Sequence, residues 1–176
     1  ALAAQSARKA ALQSCQRLAA STLRTDRSAA RRLPVSRRAK ALRQALQTSA
    51  QRRRACLTRY GRIPDRVTDV SAQDAGSGAI RLRFTAVGTD GSKLPAARTY
   101  VIKQSEKPIR TAADFARAPA LCRARCSFDV TRVGASLTLT VAKLRRGAQY
   151  YFAVQARDNV SQRTGPRSTT ARARAG

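Results

Sequence analysis

The chain has 176 residues, enough for one ordinary domain or two small ones, and carries 36 Lys+Arg against 9 Asp+Glu with no histidine, a formal net charge of +27. Arginine supplies 30 of those cations and lysine 6. A polycation of this size repels itself, so the composition speaks for a polyanionic partner and against a freely diffusing neutral-surface enzyme.

No run of apolar residues approaches the roughly 18 needed to cross a bilayer, so membrane insertion is not expected. The chain contains no methionine and opens "ALAAQSA", the small-residue context left around a signal-peptidase cut, which predicts an exported, secreted or cell-surface product. The four cysteines, Cys15, Cys56, Cys122 and Cys126, form an even set, as expected of an oxidised extracellular protein. A zinc site would want histidine or C-x2-C pairs, and the sequence has neither, so no metal and no cofactor is expected.

Residues 1–61 are read as the first part. This stretch is dense in Ala, Leu, Gln and Arg, good helix formers, with Val35 its one β-branched aliphatic residue and Tyr60 its one aromatic. Ala11, Leu12, Cys15, Leu18, Ala19, Thr22 and Leu23 recur at helical spacing on one face. Ala39, Leu42, Leu46, Ser49, Cys56, Leu57 and Tyr60 do the same further on, with Arg53 the misfit. Pro34, in "RRLPVSRR", cannot sit inside a helix, and Ser36 would then cap the second one. The expectation is an α-helical hairpin bent at Pro34. In such a hairpin residues at equal height have a fixed midpoint, and that of Cys15 and Cys56 falls between Val35 and Ser36, at the bend. A Cys15–Cys56 disulfide is therefore predicted to staple the two helices, whose alanine-rich seam is otherwise thin.

Residues 62–176 read differently, with seven aromatics, most of the β-branched residues, and Gly and Pro punctuation. "VTDVSA", "AIRLRFTAV", "RTYVIKQ", "SLTLTVAKL" and "YYFAVQARD" are predicted strands, and "GTDGS" (88–92) a D-G turn. Leu137, Leu139 and Val141 alternate with threonine, giving one buried and one wet face. About seven such strands predict a β-sandwich.

The run Leu144, Gly147, Tyr150, Phe152, Val154, Ala156 and Asp158, with "PDRVTDVSA", "IRLRF" and "YVIKQSEKPI" before it, resembles a fibronectin type III domain of a bacterial, actinobacterial-type secreted protein, over residues 63–175. The N-terminal helical part resembles no family. The resemblance implies an E–F corner at Leu144 and Gly147, a corner tyrosine at Tyr150, and Phe84 in place of the strand-B tryptophan. It also marks residues 110–130 as a long insertion, in which Cys122 and Cys126 could close a small loop. The fold class is thus α plus all-β in two parts. Such domains act as spacers, adhesion surfaces and assembly modules, so the fold does not supply the function.

No catalytic constellation emerges. There is no histidine base, no phosphate-cradling glycine loop, and Asp65 with Asp69 reads as a solvated pair. The charge is more informative. Residues 1–62 hold 16 Lys+Arg and a single acid, Asp26. Solvated helix faces normally mix signs to gain i,i+4 pairs. The candidate contacts are Arg8, Lys9, Arg17, Arg24, Arg27, Arg31, Arg32, Arg37, Arg38, Lys40, Arg43, Arg52, Arg53, Arg54 and Arg59. A helix of about 24 residues spans roughly 36 Å, close to one turn of B-DNA. With no aromatics interleaved for base stacking, the expected partner is double-stranded DNA, held by its phosphates without sequence preference. Self-association into a sheath or filament is expected to complete the thin hairpin core. The rival expectation is a surface filament that binds anionic cell-wall polymer or polysaccharide and no nucleic acid.

Overall fold

A computed structural model describes residues 2–90 and 93–176 and divides the chain into two compact units, Ala1–Arg62 and Ile63–Gly176.

The first unit is two antiparallel helices, α1 (Leu2–Arg31) and α2 (Val35–Tyr60), of 30 and 26 residues. Helices of that length rise about 45 and 39 Å. Pro34 makes the bend, but Ser36 does not cap. Helix α2 begins at Val35, Pro34 occupies the cap position at φ −54°, and no side chain caps it. The Pro34 carbonyl already accepts from Arg37 N (2.9 Å) and Arg38 N (3.2 Å), so the proline's preset φ starts the helix before Ser36 is reached.

The seam is narrower than the sequence spacing implies. Leu12, Ala19 and Ala30 of α1 are buried, as are Ala45, Ser49 and Cys56 of α2. Leu18 is 69% exposed and Leu46 46%, and Ala39 and Arg53 are also exposed. Each helix has one neighbour in this unit, so only a thin stripe is covered. Leu18 lies one 100° step from Ala19 and falls outside it. Cys15 and Cys56 are bridged across the seam, with Cα atoms 5.8 Å apart and a sequence separation of 41.

The second unit is a β-sandwich. Strands β1 (Ser71–Gly76), β2 (Ala79–Thr85) and β7 (Ser136–Val141) form one antiparallel sheet in the order β1-β2-β7. Strands β6 (Cys126–Ser127), β5 (Thr99–Ser105), β8 (Gln149–Arg157) and β9 (Ala171–Arg174) form the other in that order. A hairpin of β3 (Gly88–Asp90) and β4 (Lys93–Ala96) stands apart from both. The turn expected at "GTDGS" falls partly on 91 and 92, outside the described residues. Residues 67–70 of "VTDVSA" are not in a strand. They are held by the fully buried Val67 and by Asp69, whose carboxylate accepts from Thr85 N (3.0 Å) and the Thr85 hydroxyl. Asp69 is therefore a tether, not half of a solvated pair.

Between the sheets, Phe84, Tyr100 and Phe128 meet edge to face, with ring centroids 5.1 to 5.7 Å apart. Ile80, Leu82, Ile102, Phe152 and Val154 complete the core. Burial pushes the Tyr100 phenol up to about 12, so it stays neutral at the core's centre. At the E–F corner, Tyr150 accepts a hydrogen bond from Arg145 N (3.1 Å) and donates to Glu106 (3.2 Å). Gly78, at φ +68°, is needed as glycine, because a Cβ there would lie 2.7 Å from the Leu144 carbonyl. Buried Asp158 accepts from Thr89 Oγ1 (2.8 Å) and from Ser161 N (2.6 Å), fixing the turn after β8.

The insertion is more ordered than a loop. Helix α3 (Ala112–Arg117) lays Phe115 with Ile109 and Ala118 onto Ala153, Val101 and Tyr151, a second small core on the outer face of the four-stranded sheet. A capping box starts α3. Thr111 Oγ1 accepts from Asp114 N (3.1 Å), and Asp114 accepts from Thr111 N (2.8 Å). Those two Thr111 groups hold the Asp114 carboxyl at about 2, below its ordinary 3.8. Cys122 and Cys126 are bridged, closing the turn that precedes β6.

Two expectations follow. Removing the staple with Cys15→Ala/Cys56→Ala costs the hairpin about 4 kcal/mol on the chain-entropy estimate. Helical circular dichroism should then melt well before the β signal, while Cys122→Ala/Cys126→Ala leaves the helical melt in place. A depressed carboxyl stabilises above its unfolded value and loses that contribution as pH falls through the folded one. The α3 cap is thus in force above about pH 4 and is lost toward about pH 2. Asp114→Asn should abolish this acid step in the amide exchange of residues 112–117, whereas Thr111→Ala, costing about 1 kcal/mol, should only shrink it, because the Thr111 amide still donates to Asp114.

Candidate nucleic-acid interface

All fifteen basic candidates lie on α1 and α2 or at the bend, and all but the half-buried Arg8 are exposed. The cause is local: these residues sit off the alanine seam, and long cationic side chains keep their heads in water. Their distribution differs between the helices. On α1, Arg17, Arg24 and Arg31 are seven residues apart, so they line one side at intervals of about 10 Å. On α2, Arg52, Arg53 and Arg54 are consecutive and fan round the helix.

One set lies at the C-terminal end of α1 and the start of the bend. Arg24, Arg27, Arg31 and Arg32, with Ser28, surround an open cleft of about 460 Å³. Arg31 also stands in the last turn of α1, where the carbonyl end of the helix favours a cation. This cluster can offer several guanidinium forks to adjacent phosphate oxygens.

Other candidates are partly committed within the hairpin. Arg38 Nε donates to the Leu33 carbonyl at 2.7 Å, tying the bend. Arg52 pairs with Asp26 at 3.5 Å. Arg59 lies over the Tyr60 ring at 5.4 Å. Of the four arginines in "RRLPVSRR", Arg31 and Arg32 join the cleft, Arg37 lies in the first turn of α2, and Arg38 serves the turn itself. On the opposite side of the bend a second cleft, of about 340 Å³, is lined by alanines, Leu33, Gln44 and Thr48, with Asp26 its one charge.

Helical spacing and charge counts left the sandwich's cations unassigned. Arg81 and Arg83 alternate with buried Ile80, Leu82 and Phe84 along β2 and are exposed. The readable signal was the "IRLRF" alternation, which fixes both arginines to one face. Among the described residues there is no cluster of groups that could hold a metal ion, and no helix is long and apolar enough to cross a membrane.

No known family profile matches the chain, and no curated protein does. Among solved structures, the chain is similar to an Fn3-like protein from Clostridium thermocellum, at 19% identity and TM-score 0.38, over 62% of this chain and 91% of that one. It is also similar to the third fibronectin III domain of human KIAA0343 protein, at 10% identity and TM-score 0.41, over 64% and 82%. The three-on-four strand order and the corner tyrosine give the second unit a domain of fibronectin type III-like fold. The molecule is thus such a domain preceded by a disulfide-bridged basic helical hairpin.

Proposed function

We propose that this is an exported, non-enzymatic structural protein whose helical hairpin coats duplex DNA through its phosphate backbone, without sequence preference, and whose copies assemble into a sheath or filament. The observation that carries the reading is the exposure of fourteen of fifteen basic candidates on a unit with one acid. Asp26 is the one acid of this unit against sixteen cations, so counter-charge from outside would relieve the repulsion along the two long helices. Phosphodiester oxygens suit the arginine forks, and the hairpin offers no aromatic platform for unstacked bases. Two disulfides support an oxidising compartment, where extracellular DNA is the available duplex. Assembly is supported by the thin seam and by Leu18, exposed on α1.

The test is anisotropy of a labelled duplex across a salt series. Tight binding at low salt should weaken linearly in log–log form, equally for unrelated sequences. Replacing Arg24, Arg27, Arg31 and Arg32 by Gln should lower the salt slope by about 3 to 4, near 0.9 per lost phosphate contact. Electron microscopy of native material should show filaments that nuclease dissolves. Filaments indifferent to nuclease, with no duplex binding at low salt, would leave the anionic-polysaccharide alternative standing instead.

A further inference from the structure

The outer faces of the two sheets are treated differently. That of the four-stranded sheet is covered by Ile109, Phe115 and Ala118. On the three-stranded sheet, β2 pairs with β1 on one side and β7 on the other, and the register aligns two cross-strand rows. One is Ser71, Arg83 and Thr138; the other is Gln73, Arg81 and Thr140. All six side chains are exposed.

An outward sheet face that serves only solubility gains stability by setting opposite charges across from each other. Here each arginine of the central strand is flanked by hydroxyls or an amide on both sides, and no acid occupies the two rows. Among the described residues neither guanidinium has an ion-pair partner. Residues two apart on a strand are about 7 Å apart on the same face, a spacing that lets two guanidinium forks take neighbouring phosphates of one strand. The flanking Ser, Thr and Gln groups are the neutral donors that commonly accompany arginine on a nucleic-acid backbone.

The geometry points to a second polyanion site, the Arg81–Arg83 face of the β1-β2-β7 sheet, which takes the phosphodiester backbone of duplex DNA independently of the hairpin. This rests on the reading of DNA as the polymer, and it makes the fibronectin-like unit a contact surface in its own right. A second foothold on one chain turns its own binding into an intramolecular step, which raises avidity without any tighter single contact.

The experiment compares three full-length variants with the parent in the same salt-series titration of labelled duplex DNA. Arg81→Gln/Arg83→Gln should lower the salt slope by about 2, one unit per lost phosphate contact. Arg81→Lys/Arg83→Lys should keep the parent slope, because counterion release needs the charge. Arg172→Gln/Arg174→Gln removes the same charge from β9, a strand of the other sheet, and should leave the slope unchanged. Thermal melts that match the parent show that these exposed substitutions leave the fold intact. If the parent binds and the Arg81/Arg83 glutamine variant keeps the parent slope, the second site is wrong while the hairpin reading stands. An equal fall in the β9 variant overturns it too, since a diffuse field then suffices. Failure of the parent to bind at low salt removes the DNA reading itself.

Discussion

Like-charge repulsion along α1 and α2 is the constraint that the hairpin must answer. Two helices of 30 and 26 residues carry fourteen cations and one acid, and among the described residues their shared seam buries one leucine, three alanines, a serine and half of a cystine. Burial on that scale is small against the entropy of ordering so long a segment. The Cys15–Cys56 bridge acts on the unfolded side of this balance by shrinking the open ensemble. The proposed polyanion would act on the folded side, because it would turn the repulsive term into an attractive one. Folding of the hairpin and occupancy by a polyanion are then linked by mass action.

The sandwich solves its stability problem by itself. Its core is continuous, its corner tyrosine reaches back to the Arg145 amide, and its fully buried Asp158 is tied to Thr89 and Ser161. The two units thus differ in what each needs from outside. The sheet unit is preformed, whereas the helical unit is under-cored and over-charged.

Much of this architecture could be read before any coordinates, wherever a short-range rule was in force. The Leu137–Leu139–Val141 alternation placed β7, Pro34 placed the bend, and helical height arithmetic paired Cys15 with Cys56. One source of misreading is that periodicity assigns a face but not how much of it a neighbour covers. Leu18 and Leu46 obeyed the spacing and stayed exposed, since one partner helix covers only a thin stripe. Ser36 had the right chemistry for a cap, but the Pro34 carbonyl had begun the helix. Phe115 gave no periodic signal, because six-residue helices are too short to show one, and its docking on Ala153 depends on a distant strand. For the basic face, charge counts identified the unit. They could not say that Arg24, Arg27, Arg31 and Arg32 share a cleft while Arg38 is occupied by the bend.

Neither disulfide joins the two units: one bridge lies within the hairpin and the other within the insertion of the sandwich. Four cysteines admit three pairings, and the one formed joins first to second and third to fourth. A chain delivered N-terminus first into an oxidising space meets its thiols in that order. The nearest available partner is then always the correct one, and oxidation as the chain emerges needs no later reshuffling. On the proposed export, cystine formation would follow the direction of synthesis, and the hairpin would be locked before the first strand of the sandwich emerges.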